Sequence, residues 1–340
     1  MTSDWSPPPD WIQLETLDVH TAGEPLRIIT HGFPKIPGAT ILEKRRYAKA
    51  RLDHLRTALM WEPRGHADMY GAILTEPVTD DGDAGVLFLH NEGYSTMCGH
   101  GIIGLGMAGV EGGAVRWAEG PLRLDTPAGR VTAFPDKQGG SIESVSFLNV
   151  PSFLYAQKQV AEVEGIGPVR YDVAFGGAFY AFCDAEALGL TLMPEEFPEI
   201  IDVGMRIKRA VMASLFIDHP FEPDLGFLYG IIMVGKARDP GNHSRNVCVF
   251  ADGEVDRCPT GTGVSARAAL HYAKGEMEIG KTFTVESILG TTFTGEVTEA
   301  VPFGPYDAVI PRVTGTSYIT GRNELLINPK DPLRHGFMLR

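Results

Sequence analysis

"MCGHG", residues 97–101, and "PTGTG", residues 259–263, decide how the chain is built. Both end in x-G-x-G, and each runs into a segment rich in small apolar residues: "IIGLGMAGV" (102–110) after the first and "VSARAALHYAKG" (264–275) after the second. Glycines at that spacing allow a tight turn and a close approach of backbone to backbone. A helix starting there offers N–H groups without intrahelical partners and the positive end of its dipole, which together form an anion site. The first segment is small and apolar on all sides, so its helix is expected to be buried. One position separates the two loops. Cys98 stands where the second loop has Thr260.

Outward from the loops, the surroundings repeat as well. Each helix is followed by a strand pattern with a glycine, Gly129 lying 31 residues after Cys98 and Gly290 lying 30 after Thr260. Upstream, "DVHTAGEPLRI" (18–28) matches "DVAFGGAFYAF" (172–182). Runs such as "VLFLHNEG" (86–93) and "KTFTVESILGTTFTGEV" (281–297), bounded by Gly, read as short strands. A matched order at matched spacing signals internal duplication. The expectation is two similar α/β halves with both x-G-x-G loops at the seam.

The 340 residues, 44% hydrophobic and 21% charged, suit a globular chain of two domains. A net charge of −13 argues against nucleic acid and anionic membrane surfaces as partners. It does not oppose a small anionic substrate, because a helix start binds a carboxylate locally. Four cysteines make no disulfide framework, and there is neither a signal pattern nor an apolar run of membrane-spanning length. A reducing, cytoplasmic setting is expected, with the oligomeric state open and a homodimer among the options.

Three motifs mislead. "GEMEIGKT" (275–282) fits the phosphate-loop pattern, but a helix precedes it and a strand follows, the reverse of what phosphate binding requires. "GLGMAG" (104–109) fits G-x-G-x-x-G, yet it lies inside the first buried helix with no strand leading into it. His90, Cys98 and His100 fall short of a zinc ligand set, so no metal is expected. Cys183 and Cys248, in apolar strand settings, read as buried small hydrophobes.

A cysteine in the first turn of a helix has its pKa lowered by the dipole and nearby amides, which makes Cys98 a base or nucleophile. The amides of Gly99, His100, Gly261 and Thr262 are expected to converge on one anion and to stabilise charge formed on an adjacent carbon. Asp256, four residues before Thr260, either meets a substrate amine, pairs with Arg257 or caps the second helix.

These loops, with "DVHTAGEP" (18–25), "EPRGHADMYGA" (62–72), "DRCPTGTG" (256–263) and "TGRNELLINPKDPLRHGF" (320–337), resemble the proline racemase family over essentially the whole chain. The resemblance implies a diaminopimelate-epimerase-like α/β fold: two pseudo-symmetric halves, each a sheet wrapped around a central helix, with the site between them and no cofactor. The halves are expected at 1–165 with 320–340, carrying Cys98, and at 166–319, carrying Asp256 and Thr260. It further implies carboxylate binding by Gly99, His100, Gly261 and Thr262 and amine binding by Asp256.

Racemases and epimerases of the family carry a second cysteine at the Thr260 position; threonine there resembles the branch that dehydrates trans-3-hydroxy-L-proline. Inverting Cα needs a base on each face. Dehydrating trans-3-hydroxy-L-proline needs one, because its hydroxyl and Cα hydrogen share a ring face. The expected product is Δ2-pyrroline-2-carboxylate. The runner-up is a proline racemase or 4-hydroxyproline epimerase, and a silent amino-acid-binding protein stands behind that. Cys258 stands where the family often has serine, and Ala178 where racemases tend to have asparagine. Placed two residues upstream and across Pro259, Cys258 is expected to point away from the helix start.

Overall fold

The structure, a computed structural model, describes residues 5–339. Two-residue periodicity in the first part yields β1 (Ile12–Thr21), β2 (Glu24–His31), β3 (Tyr70–Thr75), β4 (Ala84–His90), β5 (Leu122–Thr126), β6 (Gly129–Gln138) and β7 (Ser141–Leu148). The second part supplies β8 (Phe153–Val163), β9 (Gly167–Phe175), β10 (Phe179–Asp184), β11 (Leu228–Gly235), β12 (Ser244–Phe250), the short β13 (Glu254–Val255), β14 (Thr282–Glu286), β15 (Thr292–Phe303), β16 (Tyr306–Gly315) and β17 (Ser317–Ile327).

Their hydrogen bonds make one strip with an internal repeat. The first half runs β17–β1–β2–β3–β4–β5–β6–β7, parallel at β2–β3 and β4–β5. The second runs β8–β9–β10–β11–β12–β14–β15–β16, parallel at the corresponding β10–β11 and β12–β14. An antiparallel β7–β16 pairing joins them. The duplicated segments 18–28 and 172–182 are the β1–β2 and β9–β10 hairpins, at equivalent places in this order. Gly129 and Gly290 both lie at hairpin turns, with φ of +129° and +84°.

Each half wraps a central helix. In the first, α1 (Ile41–Arg51) and α2 (Asp53–Met60) connect β2 to β3, and α3 (Gly99–Gly104) follows β4. In the second, α4 (Phe197–Ser214) connects β10 to β11, and α5 (Gly261–Ala273) follows β12. The helix α3 continues as a π turn over Leu105–Gly109, so "GLGMAG" is buried helix as expected. Small residues permit this: a Cβ at Gly106 would stand 2.9 Å from Val145 Cγ1. α4 shows the other solution, burying Ile200, Val203, Ile207 and Val211 as one amphipathic stripe. "GEMEIGKT" is the turn from α5 into β14. The main apolar core runs through both halves, and a smaller one lies under α1 and α2.

β8 pairs with β9 and β17 with β1. We therefore propose boundaries between β7 and β8 and between β16 and β17, whereas the expected cut at 165/166 separates β8 from its hydrogen-bonding partner. Among the described residues no helix is long and apolar enough to cross a membrane.

Candidate active site

The two halves meet backbone to backbone where α3 and α5 begin. A Cβ on Gly99 would stand 2.6 Å from Gly261 Cα, and one on Gly261 would stand 2.7 Å from Gly99 Cα. Real Cβ atoms do not approach backbone so closely, so glycine is required on both sides for the two helix starts to abut. The two duplicated hairpins cross over to hold this arrangement. Glu24, at the β1–β2 turn, accepts the Arg257 N–H at 2.6 Å, while Gly177, at the β9–β10 turn, accepts the Thr96 hydroxyl at 2.6 Å. Each half thus braces the loop of the other.

Cys98 is the N-cap of α3, its sulfur accepting the Gly101 N–H at 3.2 Å. The same sulfur lies 3.2 Å from His100 Nδ1 and 3.6 Å from Nε2. Burial pushes the thiol well above its ordinary pKa; the Gly101 N–H and the Tyr70 hydroxyl pull it down, and the Asp256 and Glu24 carboxylates push it up again. This corrects the expectation from the helix start alone: desolvation and two carboxylates outweigh the dipole and the amide. Burial likewise lowers His100 to about 4, so its imidazole is neutral at pH 7.

The opposite loop is organised differently. Asp256 Oδ1 accepts the Cys258 N–H at 3.0 Å, and Arg257 pairs with Asp68 at 2.7 Å. Asp256 is therefore neither the ion-pair partner of Arg257 nor the cap of α5; it faces the same cavity as Cys98. Thr260 caps nothing. It is held at φ +65°, costly for a β-branched side chain. Its buried hydroxyl has no hydrogen-bond partner of ordinary geometry, and the Cys248 thiol that adjoins it is drawn down by it. Cys258 does not point away from the helix start as expected: its sulfur accepts the Thr260 N–H at 3.3 Å. That bond follows from the Asx turn at Asp256, which curls the chain back.

The profile described as proline racemase matches residues 16–338. The chain belongs to the proline racemase family. Within it, the chain is similar to a trans-3-hydroxy-L-proline dehydratase of Colwellia psychrerythraea, 49% identical over 97% of this chain and 94% of that one. A 3-hydroxyproline 2-epimerase of Burkholderia multivorans is 43% identical over 96% and 98% of the respective chains. The solved hydroxyproline epimerase of Agrobacterium vitis, with bound trans-4-hydroxy-L-proline, superposes with a TM-score of 0.92 at 30% identity, covering 97% of this chain and 96% of that one. These matches also bear out the fold: two pseudo-symmetric α/β halves, as the family resemblance implied.

In this proline racemase family member, every residue picked from the sequence lines one cavity: Cys98, Gly99 and His100 on one side, Asp256, Thr260, Gly261 and Thr262 on the other. The cavity holds about 20 Å³, room for one water. Several participants were missed. Tyr180 OH lies 2.7 Å from the Thr262 hydroxyl and so anchors the start of α5. Cys248, read as an inert hydrophobe, sits on the buried β12 yet lines the cavity. Glu24, fully buried behind Asp256, is pushed well up by burial and by that neighbouring carboxylate. The hydroxyls of Tyr70, Ser95 and Tyr229 form a hydrogen-bonded group at the same wall.

His90 does not join Cys98; it faces Glu254 at 3.3 Å. His100, Asp256 and Cys258 do bring one donor atom each within 4.8 Å of one another, a set not foreseen. Each is already engaged: His100 with Cys98, Asp256 with the Cys258 N–H, and Cys258 with the Thr260 N–H.

Proposed function

We propose that this chain is a hydro-lyase that converts trans-3-hydroxy-L-proline to Δ2-pyrroline-2-carboxylate, with Cys98 as the base and no cofactor. The observation that carries the reading is the unequal pair of helix starts: a thiol before α3, and before α5 a threonine hydroxyl with no base to activate it. Dehydratases at up to 49% identity support the substrate assignment.

The substrate carboxylate sits between the starts of α3 and α5, whose first-turn amides have no carbonyl one turn back. Its ring ammonium meets Asp256, with Glu24 behind. That positive charge offsets the two carboxylates that hold the Cys98 thiol neutral, so binding itself favours the thiolate. Cys98 removes the Cα proton, and the electron pair left on Cα is drawn toward the carboxylate under both helix ends. The pair forms the C2–C3 double bond as the C3–O bond breaks. The proton on Cys98 leaves with the hydroxide as water, from the face that carried both groups. The enamine then tautomerises to the Δ1 imine. Thr260, on the other face, shapes the pocket. Four free, buried cysteines suit a reducing cytoplasm.

A second reading, a 3-hydroxyproline 2-epimerase, has one observation in its favour: the Cys248 thiol adjoins Thr260 and lines the cavity. Following trans-3-hydroxy-L-proline by proton NMR with the purified protein tests the proposal. Loss of the C3 carbinol signal with appearance of the pyrroline supports it; an unchanged substrate refutes it.

A further inference from the structure

Tyr70, the first residue of β3, Ser95, in the loop after β4, and Tyr229, the second residue of β11, are 159 positions apart at their extremes yet form one hydroxyl chain. Tyr70 OH bonds Ser95 Oγ, Ser95 Oγ bonds Tyr229 OH at 2.8 Å, and the two phenols stand 3.4 Å apart. Three hydroxyls carry three donor protons, and two short bonds use two of them. One O–H is left over, at one end of the chain or the other; 3.4 Å makes a poor third bond, and at the Tyr70 end the O–H has the Cys98 sulfur beside it until substrate enters. Both ends, Tyr70 and Tyr229, line the cavity that holds Cys98, and the Tyr70 hydroxyl adjoins the Cys98 sulfur.

The reaction has a use for that proton. In trans-3-hydroxy-L-proline the leaving hydroxyl and the Cα hydrogen share a face, so a group that serves the hydroxyl must stand on the Cys98 side of the ring. Tyr70 stands there. Thr260 belongs to the opposite loop. Resting on the dehydratase reading, we propose that the Tyr70–Ser95–Tyr229 chain is the specificity element for the 3-hydroxyl: its spare O–H donates a hydrogen bond to the substrate's C3 oxygen and stabilises the charge that grows there as the C–O bond breaks. No proton is transferred by the phenols. The hydroxide departs with the proton Cys98 took from Cα, and the tyrosines end as they began. Burial holds both phenols protonated, as donors must be.

The test uses the double variant Y70F/Y229F, checked for an unchanged circular dichroism spectrum, with trans-3-hydroxy-L-proline in D₂O, because either phenylalanine alone leaves a phenol on the cavity wall and one spare O–H. Dehydration should fall at least 10-fold in the double variant, while the unreacted substrate recovered from it carries more Cα deuterium than that from the wild type, because proton removal continues and C–O cleavage lags. A loss smaller than 10-fold in the double variant overturns the proposal. So does a loss of dehydration without added deuterium, which assigns the tyrosines to packing or to Cys98. Absence of dehydration by the wild-type enzyme would instead defeat the underlying reading, so the two failures are distinguishable.

Discussion

Alanine at Gly99 puts the architecture under the most direct mechanical load. Its Cβ would stand 2.6 Å from Gly261 Cα, 2.8 Å from Gly261 C and 3.0 Å from Thr262 N, all backbone atoms at a helix start. Carbon atoms settle at about 3.5 Å or more, so the two helix starts must separate by about 1 Å. Neither side has a flexible side chain to yield. Displacing a charge-stabilising donor by that much typically costs about 100-fold in rate. The expected result is a folded G99A whose kcat/KM for trans-3-hydroxy-L-proline falls about 100-fold, with overpacking costing roughly 1–3 kcal/mol of stability. G261A meets the same wall from the other side, at 2.7 Å from Gly99 Cα, and the double variant should lose less than the sum of the two, because the gap opens only once. G93A, where nothing lies within 4 Å, is the silent control. Steady-state kinetics with thermal melts decide the matter. A G99A enzyme within threefold of wild type would show that the helix starts need not abut, and the shared carboxylate site would fall with them.

Other expectations follow from the same geometry. C98S should lower turnover at least about 100-fold without unfolding, whereas C258S, keeping an acceptor for the Thr260 N–H, should cost little; the reverse pattern would move the base to Cys258. D256N should raise KM and reduce kcat/KM by an amount equivalent to roughly 1.5–3 kcal/mol, the value of a charged hydrogen bond, and unchanged kinetics would confine Asp256 to its turn. T260C should gain detectable epimerase or proline racemase activity on chiral chromatography, since it restores a thiol at the second helix start; strict absence of inversion would show that the second face lacks more than a base. Finally, His100 titrates near 4 when folded against 6.5 in a model peptide, so the unfolded chain takes up the proton first as pH falls. Stability should therefore be lost from about pH 6.5 down toward pH 4, by up to about 3 kcal/mol from this residue, and a melting temperature flat over that window would contradict its burial as a neutral ring.

What could be read from the sequence was local or periodic. The two x-G-x-G loops, the helices they start and the 18–28 and 172–182 hairpins are contiguous patterns, and the structure puts them at equivalent places. What escaped depends on distant strands meeting. Nothing in "DMYGA" or "GFLYG" says that Tyr70 and Tyr229 share Ser95, and nothing in "RNVCVF" says that Cys248 reaches a cavity rather than a core. The Cys98 pKa was misjudged for a related reason: the dipole is visible from its own helix, but Glu24 and Asp256 arrive from other elements and burial from all of them. Cys258 turned inward because of a side-chain turn two residues long, which loop spacing does not reveal.

The central claim is that one thiol serves one face of Cα and removes water instead of inverting the centre. Incubating the wild-type enzyme with trans-3-hydroxy-L-proline, and measuring pyrroline-2-carboxylate and cis-3-hydroxy-D-proline in the same time course, tests it most directly. The pyrroline should accumulate to completion with no epimer at any time. Formation of cis-3-hydroxy-D-proline at a rate rivalling that of the pyrroline would contradict the account and put a working base on the Thr260 side.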